Sequence, residues 1–307
     1  MIYLKYSTDA GAPTLSGTAG ALIGVLDHCL VTTAGWTKSF TGTNVASYRA
    51  PAGNRFYLNV DDTGTTVARV RAFEIATAAS VAVPTGGTMP FPTETQFSGG
   101  LYTAKSDAAS GASRNWWFFG NDRLFYLIMQ AGTSSSTTTT LAFGDISSLK
   151  SSDAFATIIL GQNTNSTNGL SGKTLGYSPS SAPLSAAGLS DSYTARGHTQ
   201  LGGSIANAHF SFGAVHAGNT DSFATTLVPM PTPCSSSFHL YRKFILDPLI
   251  DFRGTLPGVW FGAHNKSLFP HGGVFTVTVS GATRSFIVLH NYSNGAFCME
   301  TSDTWYS

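Results

Sequence analysis

Charge is what this sequence has least of: Lys, Arg, Asp and Glu make up 11 % of its 307 residues, less than half of the usual ~25 %. The 17 Lys and Arg are scattered, with Arg242-Lys243 the one adjacent pair, against 16 Asp and Glu, for a formal net charge of +1. No basic stripe is available to neutralise phosphates, so DNA and RNA are not expected partners. Cysteine is equally scarce. Cys29, Cys234 and Cys298 are far apart, odd in number and without a CxxC pair, which argues against a disulfide framework or zinc knuckle and for small buried thiols. No apolar run approaches the ~18 residues of a membrane span. The opening MIYLKYSTDAGAP has no charged leader followed by an apolar stretch, so synthesis in the cytoplasm without a signal is expected.

Helical periodicity is scarce too, which leaves strands to carry the fold. Gly and Ser/Thr clusters punctuate the chain, separating short runs rich in β-branched and aromatic residues, the pattern of many strands joined by turns. In Arg55–Ile75, Phe56, Leu58 and Val60 alternate with Tyr57 and Asn59, Asp62-Thr63-Gly64 supplies a turn, and Val67, Val70 and Phe73 recur on the return. This predicts a β-hairpin. A second hairpin is predicted at Trp116–Met129, where Gly120-Asn121-Asp122 separates two aromatic runs that are apolar nearly throughout. Strands apolar on both faces belong in a sandwich core or at a subunit contact. Further strands are expected at Leu141–Gly144, Phe155–Leu160, His209–His216, His239–Leu246, Val274–Val279, Ser285–Asn291 and Phe297–Thr301.

Thr133–Thr140 reads as a long loop tip, and Gly161–Gly188, with Pro179 and Pro183, as a boundary or partner-embracing arm. The expected fold is therefore all-β and sandwich- or barrel-like, with many short antiparallel strands and long Ser/Thr/Gly-rich loops. Its expected division is a β-rich unit over 1–160, an irregular linker over 161–205 and a second β-rich unit over 206–307, or one continuous unit. The core is expected from Leu22, Val25, Phe56, Leu58, Trp116, Phe118, Phe125, Leu127, Ile158, Phe244, Leu246, Trp260, Val277, Ile287 and Leu289.

Catalytic motifs are incomplete. Gly169–Thr174 ends like a phosphate loop, but Thr167 stands where the first Gly is required. In Gly202–Ala206, Ala206 replaces the closing Gly of a nucleophile elbow, so Ser204 reads as a turn serine. His209 and His216 are seven residues apart, on opposite faces of any one strand. His264, His271 and His290 read as loop or interface histidines rather than metal ligands. Asp61-Asp62 reads as turn-shaping, and Asp145, Asp153 and Asp247 are isolated. No enzyme, cofactor or metal is expected. Trp36, Trp116, Trp117, Phe125 and Trp260 are the candidate interface anchors, since large aromatics dominate contact energetics.

Gly35–Asn44 (GWTKSFTGTN) with Tyr48-Arg49, Phe56–Asp62 (FYLNVDD), Ala68–Arg71, Ser98–Tyr102, Gly120–Tyr126 (GNDRLFY), Phe143–Ile146 and Arg253–Trp260 (RGTLPGVW) together resemble a family of tailed-bacteriophage virion proteins associated with the tail tip or baseplate. The resemblance spans most of the chain and implies a virion component present in several copies about the tail axis. Its partners would be further copies, other tail proteins and a host receptor. It implies no reaction. The other roles this composition permits are a receptor-binding or tail-fibre adhesin contacting the host surface, and a capsid or head-to-tail decorating protein. Thr133–Thr140 and Ser178–Ser190 are more Ser/Thr/Ala-rich than the resemblance leads one to expect.

Overall fold

The computed structural model of the chain describes residues 1–133, 138–162, 192–197, 199–206, 208–210, 240–246, 252–262, 270–279, 281–290 and 296–306. In chain order the strands begin with β1 (Tyr3–Tyr6), β2 (Thr37–Gly42), β3 (Val45–Arg49), β4 (Tyr57–Asp61), β5 (Val67–Ala76), β6 (Gly87–Phe91) and β7 (Leu101–Ala104). They continue with β8 (Trp116–Gly120), β9 (Leu124–Gln130), β10 (Thr138–Asp145), β11 (Ser147–Ser148), β12 (Thr157–Leu160), β13 (Ser192–Thr194) and β14 (Ile205–Ala206). The last are β15 (Ala208–Phe210), β16 (Leu240–Leu246), β17 (Phe252–Gly262), β18 (Val274–Val279), β19 (Ala282–His290) and β20 (Ala296–Glu300). A helix, α1 (Ala21–Leu26), runs into a π-helical turn at Asp27–Thr33.

All pairings among the described residues are antiparallel, and the fold is all-β. An N-terminal sheet has the order β2-β3-β4-β5-β6 with β7 also on β5. A seven-stranded sheet follows the order β1-β8-β9-β10-β12-β13-β14. A C-terminal sheet follows β15-β16-β17-β20-β19-β18 with β11 on β17. Because β1 pairs with β8, the whole N-terminal sheet is an excursion between two neighbouring strands of the seven-stranded one.

That seven-stranded sheet is a middle layer. Trp116, Phe118, Phe125, Leu127, Met129, Leu141, Phe143 and Ile159 pack with α1 and the N-terminal sheet. The residues between them, Phe119, Tyr126, Ile128, Ala142, Ile158 and Leu160, pack against Leu256, Val259, Ile287, Leu289, Phe297 and Met299 of the C-terminal sheet. Successive side chains of a strand point to opposite faces, so unbroken apolar runs are what a layer buried on both sides requires. The Trp116–Met129 hairpin is this case, with Gly120 opposite Phe125.

The Arg55–Ile75 hairpin forms as β4 and β5, with Tyr57 opposite Phe73 and Asp61 opposite Arg69. Gly64 is required in its turn, since a Cβ there would lie 2.2 Å from the Val67 carbonyl oxygen. The helix departs from the strand-only expectation. Leu22, Val25, Leu26, Cys29 and Leu30 recur at helical spacing and are fully buried between the N-terminal and middle sheets. Leu22 to Val25 to Cys29 is a helical stripe too short to register against the surrounding strands.

Two further corrections concern boundaries. Thr138–Thr140, read from sequence as loop, open β10 opposite Ile128–Gln130 and are buried; β-branched Thr suits a strand, and Thr139 donates its hydroxyl to the Ala104 carbonyl at 2.8 Å. Gly161 and Gln162 are likewise not loop surface: Gln162 is buried and exchanges two backbone hydrogen bonds with Tyr102, at 2.7 and 2.8 Å. Residues 134–137 and 163–191 lie outside the described residues, as do Cys234, His216 and His264. Twelve of the fifteen expected core residues are buried; Phe56, Phe244 and Val277 are half-buried at the margins.

Candidate functional site

Three segments, Gly35–Asn44, Gly120–Tyr126 and Arg253–Trp260, tie the layers together. Trp36, 2 % exposed, donates its indole N–H to the Asn121 carbonyl at 2.8 Å, joining the start of the N-terminal sheet to the middle hairpin. Its ring meets Phe125 and Phe143 edge-on, at 5.5 and 6.1 Å. The Asn121 side chain in turn accepts from the Arg123 and Leu124 amides at 2.8 and 2.9 Å, which shapes the β8–β9 turn. On the other face, the buried Tyr126 hydroxyl donates to the Pro257 carbonyl at 2.9 Å, across to the C-terminal sheet. Gly258, at φ 75°, then makes room for the Trp305 ring.

Trp116, Phe125 and Trp260 are also buried within the chain, and Trp117 is half-buried with its ring edge-on to His271 at 5.0 Å. Trp260 donates to Glu300 Oε2 at 2.8 Å and lies beneath the Arg242 guanidinium at 4.8 Å. Four of the five anchor candidates are therefore core side chains, and the structure does not gather the five into one surface. Cys29 and Cys298 are buried free thiols; desolvation raises both, that of Cys298 to about 12.

Sequence reading missed the buried charges, because a single Lys, Arg or Asp in a polar stretch reads as solvent-exposed. Asp62 is fully buried. It accepts from the Leu22 and Ile23 amides at 2.7 and 3.3 Å and pairs with the equally buried Lys105. It thereby acts as an N-cap supplied from outside the helix, at a start where Gly20 provides no side chain. Arg71, also fully buried, donates to the Val81 carbonyl at 2.8 Å and to Glu94 at 2.5 Å. Arg253 pairs with Asp153 between β17 and the segment after β11. Burial pushes the Asp153 carboxyl up, but donors from Ser148, Gln200, Arg253 and the Phe155 amide outweigh it and hold it below the usual range. Burial raises Asp145, which accepts from Thr157 at 2.6 Å and the Asn54 amide at 2.8 Å. Ser204 is a buried residue just before β14.

A groove of about 330 Å³ lies at the β4–β5 turn, lined by Asp61, Thr63, Gly64, Thr65, Thr66, Val67, Arg69 and Tyr102. Asp61, Arg69 and Tyr102 are direct cross-strand neighbours on β4, β5 and β7. Arg69 lies over the Tyr102 ring at 4.4 Å, donates to the Tyr102 hydroxyl at 2.7 Å and to the Ser98 carbonyl at 3.1 Å. Asp61 Oδ1 accepts from the Thr63 amide and hydroxyl at 3.1 and 2.7 Å. Asp61 thus does shape the turn, as its position predicts, whereas its neighbour Asp62 does something else.

Among the described residues no cluster of three or more His, Cys, Asp or Glu side chains is arranged to hold a metal ion, and no helix is long and apolar enough to cross a membrane. No protein family matches the chain, and no curated protein matches it either.

Proposed function

We propose that this chain is a structural component of a tailed-phage virion, a tail-tip or baseplate subunit that assembles symmetrically around the tail axis. The observation that carries the reading is where the few charges go. Asp62, Arg71, Lys105, Arg114, Arg253, Arg284 and Glu300 are buried, out of a total of only 17 Lys and Arg and 16 Asp and Glu. The fold takes charge away from a surface already poor in it. Such a surface gives little self-repulsion and little protection against association, which suits a subunit held permanently against its neighbours. The resemblance of GWTKSFTGTN, FYLNVDD, GNDRLFY and RGTLPGVW to tail-associated virion proteins supports the same role, and three of these segments supply inter-layer ties.

The test is the solution mass of the purified chain, by light scattering, together with antibody labelling of intact particles. A defined homo-oligomer and label confined to the tail are expected. A stable monomer at high concentration with no label on particles would overturn the proposal.

A further inference from the structure

We propose that the groove at the β4–β5 turn binds a neutral saccharide. The starting point is an ion pair that does not form. Asp61 and Arg69 are directly opposite in the ladder, where side chains come within ~5 Å at Cβ. Opposite charges so placed ordinarily pair. Here each is held by other groups: Asp61 Oδ1 by Thr63, and Arg69 by Ser98 and the Tyr102 ring and hydroxyl. Asp61 Oδ2 and Arg69 Nε keep no partner among the described residues, so one groove presents a carboxylate acceptor and a guanidinium donor from residues directly opposite in the ladder.

The chemistry of the lining selects the ligand class. An anion meets Asp61 and a cation meets Arg69, so a singly charged ligand loses at one group what it gains at the other. A polyol uses both, since each hydroxyl both donates and accepts. Thr65 and Thr66 add hydroxyls of the same dual character, Thr63 adds only an acceptor oxygen because its proton goes to Asp61, and Val67 is the one aliphatic side chain in the lining, which leaves little for an apolar ligand. The volume of about 330 Å³ is at the small end of the ~300–1,000 Å³ of small-molecule sites, a monosaccharide-sized space open to solvent. The Arg69 contacts fix the guanidinium before a ligand arrives, which lowers the ordering cost of binding. The site stands independently of the virion reading: its failure would leave the tail assignment untouched, and particle labelling would not decide it.

The test is saturation-transfer NMR on the full chain with D-glucose, D-galactose, D-mannose and N-acetyl-D-glucosamine as neutral probes, and glucuronate and glucosamine as charged ones. At least one neutral sugar is expected to saturate with a millimolar dissociation constant and to exceed its charged counterpart. Asp61→Asn keeps the acceptor for Thr63 and is expected to leave unfolding unchanged, while Arg69→Gln keeps an amide donor but loses the Tyr102 and Ser98 contacts; each is expected to weaken binding about tenfold or more. Thr65→Val, at an exposed position, gives a third readout with little risk to folding. The proposal fails if no neutral sugar saturates up to about 50 mM, if the charged sugars bind as well, or if binding survives all three substitutions.

Discussion

Lys105 and Asp62 form an ion pair with both side chains fully buried, between the end of β7 and the start of helix α1. Asp62 uses its other oxygen on the helix amides, and Lys105 also donates to the Thr18 carbonyl at 2.7 Å. The pair is thus the centre of a small polar cluster inside an apolar layer. Removing one partner of such a pair leaves an uncompensated charge, at a cost of ~3–5 kcal/mol. Lys105→Met should fall in that range, and adding Asp62→Asn should recover part of the loss, because Asn still accepts from the Leu22 amide. A double-mutant cycle by denaturant unfolding measures this; a coupling energy below ~0.5 kcal/mol would mean the two groups do not depend on each other.

Trp36→Ala should cost ~3–5 kcal/mol, since the ring is buried against Phe125 and Phe143. Trp36→Phe separates packing from the hydrogen bond to Asn121: it should cost less than Ala but more than zero, because the Asn121 carbonyl loses its donor. Equal midpoints for wild type and Trp36→Phe would show that the Asn121 bond contributes nothing.

Acid should weaken the tie between β17 and the segment after β11. The folded-state Asp153 carboxyl lies below its ordinary value of 3.8, so its pairing with Arg253 contributes fully above that value and is lost as pH falls through the depressed folded value. The unfolding temperature of Asp153→Asn should lie below wild type by a constant margin from pH 5 to 7 and converge with it under acid. Parallel curves across the whole range would contradict this.

Gly258→Ala should be among the most damaging small substitutions. Its φ of 75° disfavours any L side chain, and a Cβ would lie 2.3 Å from Trp305 Cε2. Left-handed strain of ~1–2 kcal/mol adds to overpacking of ~1–3 kcal/mol. Gly111→Ala, with open space around its Cβ, should be neutral and serves as the control. Urea midpoints read both.

Local pattern carried the two hairpins, because alternation and turn residues act within a few positions of each other. It also carried the double-sided burial of Trp116–Met129, since only a two-faced layer tolerates an unbroken apolar run. What stayed illegible depends on distance along the chain. Asp62 looks like its neighbour Asp61 until Lys105 and the helix amides are brought to it, the nearest of these 39 residues away. Arg253 and Asp153 meet across 100 residues. The aromatic anchors were legible as large apolar groups, but not as intrachain core, because sequence does not distinguish a face buried by the same chain from one buried by another. The groove left no motif at all: its Asp, Arg and Tyr come from three strands, and only the ladder register aligns them.

The middle sheet has a mechanical consequence. Protein interiors pack as densely as organic crystals and compress little, and this sheet is held between two such interiors with its side chains locked on both faces. Bending it would have to open one core while crushing the other.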